Sequence, residues 1–145
     1  MNVADRLSRM PFSEHLGIEV LEADAGYARG RLKLDDVHSS SRERFIAHGG
    51  VTYALADTVG GAAAISATLD VTPTIDMRID YLAPANGDLL LAEAELRQDG
   101  GTVTTVEVEI TDGDGEPIAV ARGTFKTGGA DGETAWGTAG PERYQ

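Results

Sequence analysis

One segment limits the folds open to this chain more than any other. Residues 48–69, HGGVTYALADTVGGAAAISATL, read as one long helix, and Asp57 is the only acidic or basic residue in it besides the neutral His48. Apolar side chains recur there at spacings of three and four residues, which predicts one stripe that packs against the rest of the protein. The predicted stripe consists of Val51, Leu55, Thr58, Val59, Ala62, Ile65 and Leu69.

Asp57 lies outside that stripe, and its helical neighbours are small or apolar apart from Tyr53. Gly60 and Gly61 follow it, although a glycine in a helix interior costs about 1 kcal/mol relative to alanine. Two such glycines in a row indicate that a second chain or a ligand approaches this face closely. The pattern therefore points to a functional carboxylate, with a structural acid as the alternative.

Strand-like alternation lies on both sides of the predicted helix. Two strands are expected before it and four after it, at 17–23, 27–34, 74–82, 89–98, 102–111 and 117–126. Turn sequences such as Asp99-Gly100-Gly101 indicate antiparallel hairpins. Residues 2–12 are predicted to form one short amphipathic helix, and the glycine-rich residues 128–145 a disordered polar tail. This order predicts an α+β domain over residues 1–127, with an antiparallel sheet against one long helix.

Charge and composition narrow the function classes. The 145 residues include 24 acidic and 12 basic side chains, which gives a net charge of -12 and disfavours nucleic acid as a partner. Only Lys33 and Lys126 are lysines, and acid excess with scarce lysine favours a cytoplasm at high salt over an ordinary mesophilic one. No segment has the length of a membrane span or the apolar core of a secretory signal, so we expect a soluble, cytoplasmic protein with no membrane partner.

The histidines and the lack of cysteine limit the chemistry further. Without cysteine the chain has no disulfide, no cysteine-based zinc site and no thiol nucleophile. His15, His38 and His48 lie too far apart for the short spacing of a metal site on one helix. No metal site is therefore predicted.

The start of the helix offers a different kind of site. Gly49 and Gly50 would present unpaired backbone N–H groups at the positive end of the helix dipole, where a developing oxyanion can be held. Asp57 lies nine residues after His48, roughly 13 Å along the helix axis and on the opposite side. The acid and the amides cannot meet within one chain, whereas a two-fold axis between two such helices would bring them together.

Two motifs, HGGVTYALADT and TIDMRIDYLAPA, resemble those of the hotdog-fold acyl-CoA thioesterases of the phenylacetate-pathway (PaaI-like) group. The shared pattern is HGG, an acid nine residues after the histidine, and a strand ending in Tyr/Phe-x-x-Pro. The resemblance implies an antiparallel sheet wrapped around one long central helix. It also implies a homodimer or homotetramer with active sites at the subunit interface. Such an enzyme would hydrolyse aryl-acetyl or medium-chain acyl-CoA thioesters without a metal or redox cofactor.

The resemblance also implies catalytic roles for three residues. Gly49 matches the residue whose backbone N–H polarises the thioester carbonyl. Asp57 matches the catalytic carboxylate, which acts as a nucleophile or as a general base on water. Thr74 matches a position where a related group places a hydroxyl that helps to hold this water.

Three further residues are the predicted substrate-binding set: His48, Gly50 and Arg42. His48 matches an orienting residue of the loop before the helix. Arg42 departs from the pattern, because relatives often carry an asparagine six residues before the histidine, in contact with the carbonyl region. Two alternatives stay open: a non-catalytic module that binds or senses acyl-CoA on the same fold, and a hydratase or dehydratase.

Overall fold

The protein is described by a computed structural model that covers residues 1–127, 132–134 and 137–139. Its helices are α1 (Val3–Ser8), α2 (Pro11–Leu16) and α3 (Gly49–Thr68), with a 3₁₀ turn at Asp36–His38. Its strands are β1 (Ile18–Asp24), β2 (Tyr27–Lys33), β3 (Thr74–Tyr81), β4 (Leu89–Asp99), β5 (Val103–Asp112), β6 (Pro117–Lys126), β7 (Gly132–Thr134) and β8 (Gly137–Ala139). The predicted long helix and the six predicted strands are confirmed to within two residues at each end.

Strands β1 to β6 form one antiparallel sheet in the order β1-β2-β4-β5-β6-β3. α3 packs against all six strands, so the sheet wraps around it and the predicted α+β architecture is confirmed. β3 follows α3 in the chain but pairs with β6, the last strand in sequence among the six. It has no second neighbour among these six strands and therefore lies at one edge of the sheet. The short strands β7 and β8 pair with each other inside the predicted disordered tail. The rest of that tail lies outside the described residues.

α3 is buried on more than the one predicted stripe. Leu55, Val59 and Ala62 of that stripe are fully buried, but so are Ala56 and Ala63 on other sides of the helix. The sheet curves around α3 and α1 packs on it as well, so these elements together cover several sides of the helix. The helix is therefore the central element of the core.

The prediction that a second chain or a ligand approaches Gly60 is wrong. A Cβ atom at Gly60 would lie 3.3 Å from Val108 Cγ2 and 3.5 Å from Phe125 Cζ, so the sheet itself approaches this residue. At Gly61 an added Cβ would make an ordinary contact, 3.6 Å from Phe125 Cε1. Gly60 thus allows the helix to lie close to β5 and β6.

The amino-terminal segment forms two helices where one was predicted. α1 ends at Arg9, its C-cap, and α2 begins at Pro11. Proline lacks a backbone N–H and disfavours helix in the residue before it, while its fixed φ suits the first position of a new helix. The break therefore follows from Pro11.

Candidate active site

Asp57 lies half-buried on α3, and its carboxylate is held from β3. The Thr74 hydroxyl donates a hydrogen bond of 2.8 Å to Asp57 Oδ1. No described residue bonds to Asp57 Oδ2. The structure therefore brings together two of the predicted catalytic residues and leaves one carboxylate oxygen available.

A β-bulge directs Thr74 toward the helix. Thr74 pairs with Phe125 and Asp76 with the adjacent Thr124, so Ile75 is the extra residue on β3. Simple alternation from the buried Met77 would turn residue 75 inward and residue 74 outward. The bulge shifts this phase, leaves Ile75 exposed and places Thr74 on the same face as the buried Phe125.

Burial raises the pKa of Asp57 above the ordinary value of an aspartate, because the charged form loses hydration. The hydrogen bond from Thr74 acts in the opposite direction and lowers this pKa, since it stabilises the carboxylate. Burial is the larger effect. The result is a carboxylate of increased basicity in a fixed orientation, as a general base or a nucleophile requires.

The start of α3 is capped by the side chain of His48. His48 Nδ1 accepts a hydrogen bond of 2.8 Å from the Gly50 N–H, which places the ring proton of the neutral histidine on Nε2. The prediction that both glycines offer unpaired N–H groups is therefore wrong for Gly50. The Gly49 N–H bonds to no described acceptor, and it stands at the positive end of a 20-residue helix.

β3 also holds α3 at two further points. The Tyr81 hydroxyl donates a hydrogen bond of 2.7 Å to the Gly49 carbonyl, and the Tyr53 hydroxyl donates one of 2.9 Å to the Met77 carbonyl. A Cβ at position 49 would lie 3.1 Å from the Tyr81 hydroxyl, so a side chain here would displace the half-exposed Tyr81 ring by a few tenths of an ångström. The sequence motif contained Tyr81, but an aromatic residue at that position does not reveal what its hydroxyl contacts.

The two halves of the predicted site lie at opposite ends of β3. Thr74 holds Asp57 at the start of the strand, and Tyr81 contacts Gly49 at its end. A cleft of about 420 Å³ opens beside Gly49, and neither Asp57 nor Thr74 lines it. Within one chain, the Asp57 carboxylate and the free Gly49 N–H therefore lie in different parts of the structure.

Arg42 lies on the exposed loop that precedes α3. This loop lines a polar cavity of about 650 Å³ with Ser41, Glu43 and Arg44 among its walls, and Gly49 does not line it. Arg42 forms no ion pair with a described residue. Its assignment to the substrate-binding residues stays a prediction.

The other histidines are placed away from these residues. His38 is buried; its Nδ1 accepts the Asp35 N–H at 2.9 Å, and its Nε2 lies 2.8 Å from the Leu16 carbonyl oxygen. His15 is exposed on α2. Among the described residues, no three histidine, aspartate or glutamate side chains are grouped as a metal site requires. In the same part of the chain, every helix is too short or too polar to cross a membrane.

Comparisons with known proteins give the family and the relatives. The family described as the thioesterase superfamily matches residues 46–119. A Halobacterium salinarum protein that bears the provisional name of an esterase is 34% identical over 122 residues, which cover 77% of this chain and 80% of that protein. The medium/long-chain acyl-CoA thioesterase YigI of Escherichia coli is 28% identical over 134 residues, with 82% and 86% covered.

Solved structures share the architecture. The PaaI protein of E. coli, from the phenylacetic acid degradation operon, has a TM-score of 0.79 and 26% identity over 89% of this chain and 92% of that one. A hypothetical thioesterase from Streptococcus pneumoniae, solved with coenzyme A, has a TM-score of 0.70 and 26% identity over 77% and 86%. These similarities confirm the hotdog architecture and the PaaI-like resemblance.

Proposed function

This chain belongs to the thioesterase superfamily, and we propose that it hydrolyses acyl-CoA thioesters to a carboxylic acid and free coenzyme A. One observation carries the proposal: the half-buried Asp57 carboxylate has a raised pKa, and Thr74 holds one of its oxygens while the other stays available. The second oxygen is not among the buried atoms without a partner, so it can contact water or a substrate. The names of YigI and of the coenzyme A-bound neighbour support the same substrate class.

The reaction needs a group that delivers the attacking oxygen and a donor for the oxyanion. Asp57 removes a proton from a water molecule that attacks the thioester carbonyl carbon, or attacks that carbon itself and forms an anhydride that water then hydrolyses. The Gly49 N–H stabilises the negative charge on the carbonyl oxygen. The carbon–sulfur bond then breaks, its electron pair leaves with sulfur, and the coenzyme A thiolate takes up a proton.

A second copy of the chain completes the site in this proposal. Gly49 comes from one subunit and Asp57 with Thr74 from the other, because the two half-sites lie apart in one chain. β3 supports an interface here, since it is an edge strand whose Ile75 is 57% exposed and whose Tyr81 is 51% exposed. We propose a homodimer, or a homotetramer built from it, and a cytoplasmic location stays a prediction of the sequence.

The predicted binding residues receive different roles. His48 orients the loop by capping α3, and Gly50 contributes the N–H that His48 accepts. Gly50 also lets the chain stay close to the substrate at the turn into the helix. Arg42 lies on the exposed loop before α3, where its guanidinium suits the phosphates of coenzyme A as well as the carbonyl region.

The direct test measures free thiol released from a panel of acyl-CoAs, from phenylacetyl to medium-chain acyl groups, in molar KCl. The protein contains no cysteine, so a thiol reagent reports only coenzyme A. We expect Asp57→Asn to lower turnover about a hundredfold or more. The asparagine Oδ1 still accepts the Thr74 hydrogen bond, so the fold should be retained.

The outcomes separate the alternatives. Folded wild type that releases no thiol from any substrate would favour an acyl-CoA binding module. Equal turnover of wild type and Asp57→Asn would make the carboxylate structural. A single turnover in ¹⁸O-labelled water tests the nucleophilic role of Asp57: label in its carboxylate would establish the anhydride, because a general base exchanges no oxygen.

A further inference from the structure

Gly49, whose backbone N–H has no described acceptor, is one of the residues that line a cleft at the start of α3. The cleft has a volume of about 420 Å³, which is within the range of small-molecule sites. Its walls come from the residues before and within the first turn of α3, the segment after β3, and the start of β6. The lining residues are Ile46, Ala47, Gly49, Thr52, Tyr81, Leu82, Ala83, Pro84, Ala85 and Ile118.

Most polar groups in these walls are already paired with one another. The Leu82 and Ala83 N–H groups both donate to the Ile118 carbonyl, at 2.8 and 3.3 Å. The Ala47 N–H donates to the Ala85 carbonyl at 2.8 Å. The cleft therefore offers few hydrogen bonds to an occupant, and a segment with several amide groups would lose more in hydration than it regains.

Two donors in the cleft have no described partner, and both lie on the same face of α3. The first is the Gly49 N–H. The second is the hydroxyl of Thr52, one helical turn further, whose residue is only 2% exposed. A helical threonine usually bonds to the carbonyl four residues earlier, and Thr52 does not do so here.

We propose that this cleft holds the acyl group of the substrate and that Ala83, at its wall, sets the acceptable chain length. This inference rests on the proposed thioesterase function. The carbonyl oxygen lies at the Gly49 N–H, and the apolar chain extends from it past Thr52 toward Ala83. The pantetheine arm, with its two amides, leaves from the opposite side of the carbonyl toward solvent.

The test is a series of Ala83 variants assayed on straight-chain acyl-CoAs from butanoyl to palmitoyl. Ala83→Val and Ala83→Phe fill the cleft in two steps, and the smaller change keeps the test valid where the larger one prevents folding. We expect the preferred chain to shorten with each step. For Ala83→Phe the ratio of kcat/KM for octanoyl-CoA to that for butanoyl-CoA should fall about tenfold, as expected for an overfilled apolar pocket. Val37→Phe also introduces a phenyl ring, but at a residue that is 83% exposed, and it should leave this ratio as in wild type.

Two results would overturn the inference. An equal loss of kcat/KM for every chain length would mean that the cleft holds the pantetheine arm, which all substrates share. An unchanged profile in both variants would mean that the acyl group lies elsewhere. Absence of activity in wild type on all substrates would instead contradict the proposed function.

Thr52→Val gives an independent check. Removal of the Thr52 hydroxyl, for which no described residue is a partner, should raise kcat/KM several-fold for unsubstituted acyl groups, because an apolar chain offers this hydroxyl no acceptor. A several-fold fall for the same substrates would contradict an apolar occupant.

Discussion

Two effects shift the pKa of Asp57 in opposite directions. Burial between α3 and β3 raises its pKa, and the Thr74 hydroxyl lowers it again by donating to Oδ1. The reaction needs the ionised carboxylate, so the pKa of Asp57 sets the acid side of the activity profile. That acid limb should lie above the range of an ordinary aspartate.

Thr74→Val tests this balance at a single residue. Loss of the hydroxyl removes the effect that lowers the pKa, so the pKa of Asp57 rises further and the acid limb of kcat moves to higher pH. Thr74→Ser keeps a hydroxyl at the same position and should leave the limb where wild type has it. The pH profiles of the three proteins give the comparison, and an acid limb that is the same in all of them would show that Thr74 does not control this carboxylate.

At the level of elements, the fit between α3 and the sheet depends on glycines. A Cβ at Gly30 of β2 would lie 2.5 Å from Val59 Cγ2 and 3.0 Å from the Glu19 carbonyl oxygen. Val59 is fully buried and β-branched, so it has little freedom to move aside. The helix can therefore approach β2 this closely only because residue 30 has no side chain.

Gly30→Ala on β2 and Gly61→Ala on α3 each add one methyl group, the first on the sheet and the second on the helix. We expect Gly30→Ala to lower the free energy of unfolding by about 2 kcal/mol through overpacking. Gly61→Ala meets only an ordinary contact and gains helix propensity, so it should be neutral or stabilising by up to about 1 kcal/mol. Denaturant unfolding of both variants tests this, and equal stability of the two would show that contact with Val59 is not limiting.

At the level of the whole molecule, much of the fold could be predicted from the sequence because its signals are local. Alternation marked the strands, short turn sequences marked the hairpins, and the helical periodicity of residues 48–69 marked α3. Asp57 was singled out from its apolar surroundings and Thr74 from the family resemblance; the structure joins the two by a hydrogen bond, and their catalytic roles stay predictions. The bulge at Ile75 and the sheet contact of Gly60 were not found, because both depend on which distant strands pair and how closely they pack.

The dependence of the site prediction on local signals also explains what it missed. A free Gly50 N–H was predicted from the general behaviour of helix ends, but the preceding His48 side chain caps it. Thr52 was not singled out, because its burial beside a cleft depends on residues 81–85, which are far away in sequence. Such tertiary contacts produce no periodic pattern in the sequence.

The net charge of -12 makes the stability of the whole protein depend on salt. Ions screen the mutual repulsion of the excess carboxylates, while the exposed ion pairs that they weaken contribute little. We expect the Tm to rise by several degrees between low salt and molar KCl. A Tm that stays constant or falls over this range would contradict the interpretation of the composition as adapted to high salt.

The central claim is that one subunit supplies the Gly49 N–H and the other supplies Asp57. It can be tested by mixing two variants that are each inactive alone, Asp57→Asn and Gly49→Pro. Proline removes the N–H, suits the first position of a helix, and follows a residue whose backbone is already extended, with φ -59 and ψ 138. Both variants should be checked for folding and for size before they are mixed.

Subunits of the two variants are then exchanged by co-expression or by joint refolding. Half of the randomly formed dimers are mixed, and each mixed dimer has one complete site and one doubly defective site. The account therefore predicts recovery of about a quarter of the wild-type thiol release, from two proteins that show almost none separately. If Gly49 and Asp57 of the same chain act together, no complete site can form, and mixed dimers as inactive as their parents would contradict the account.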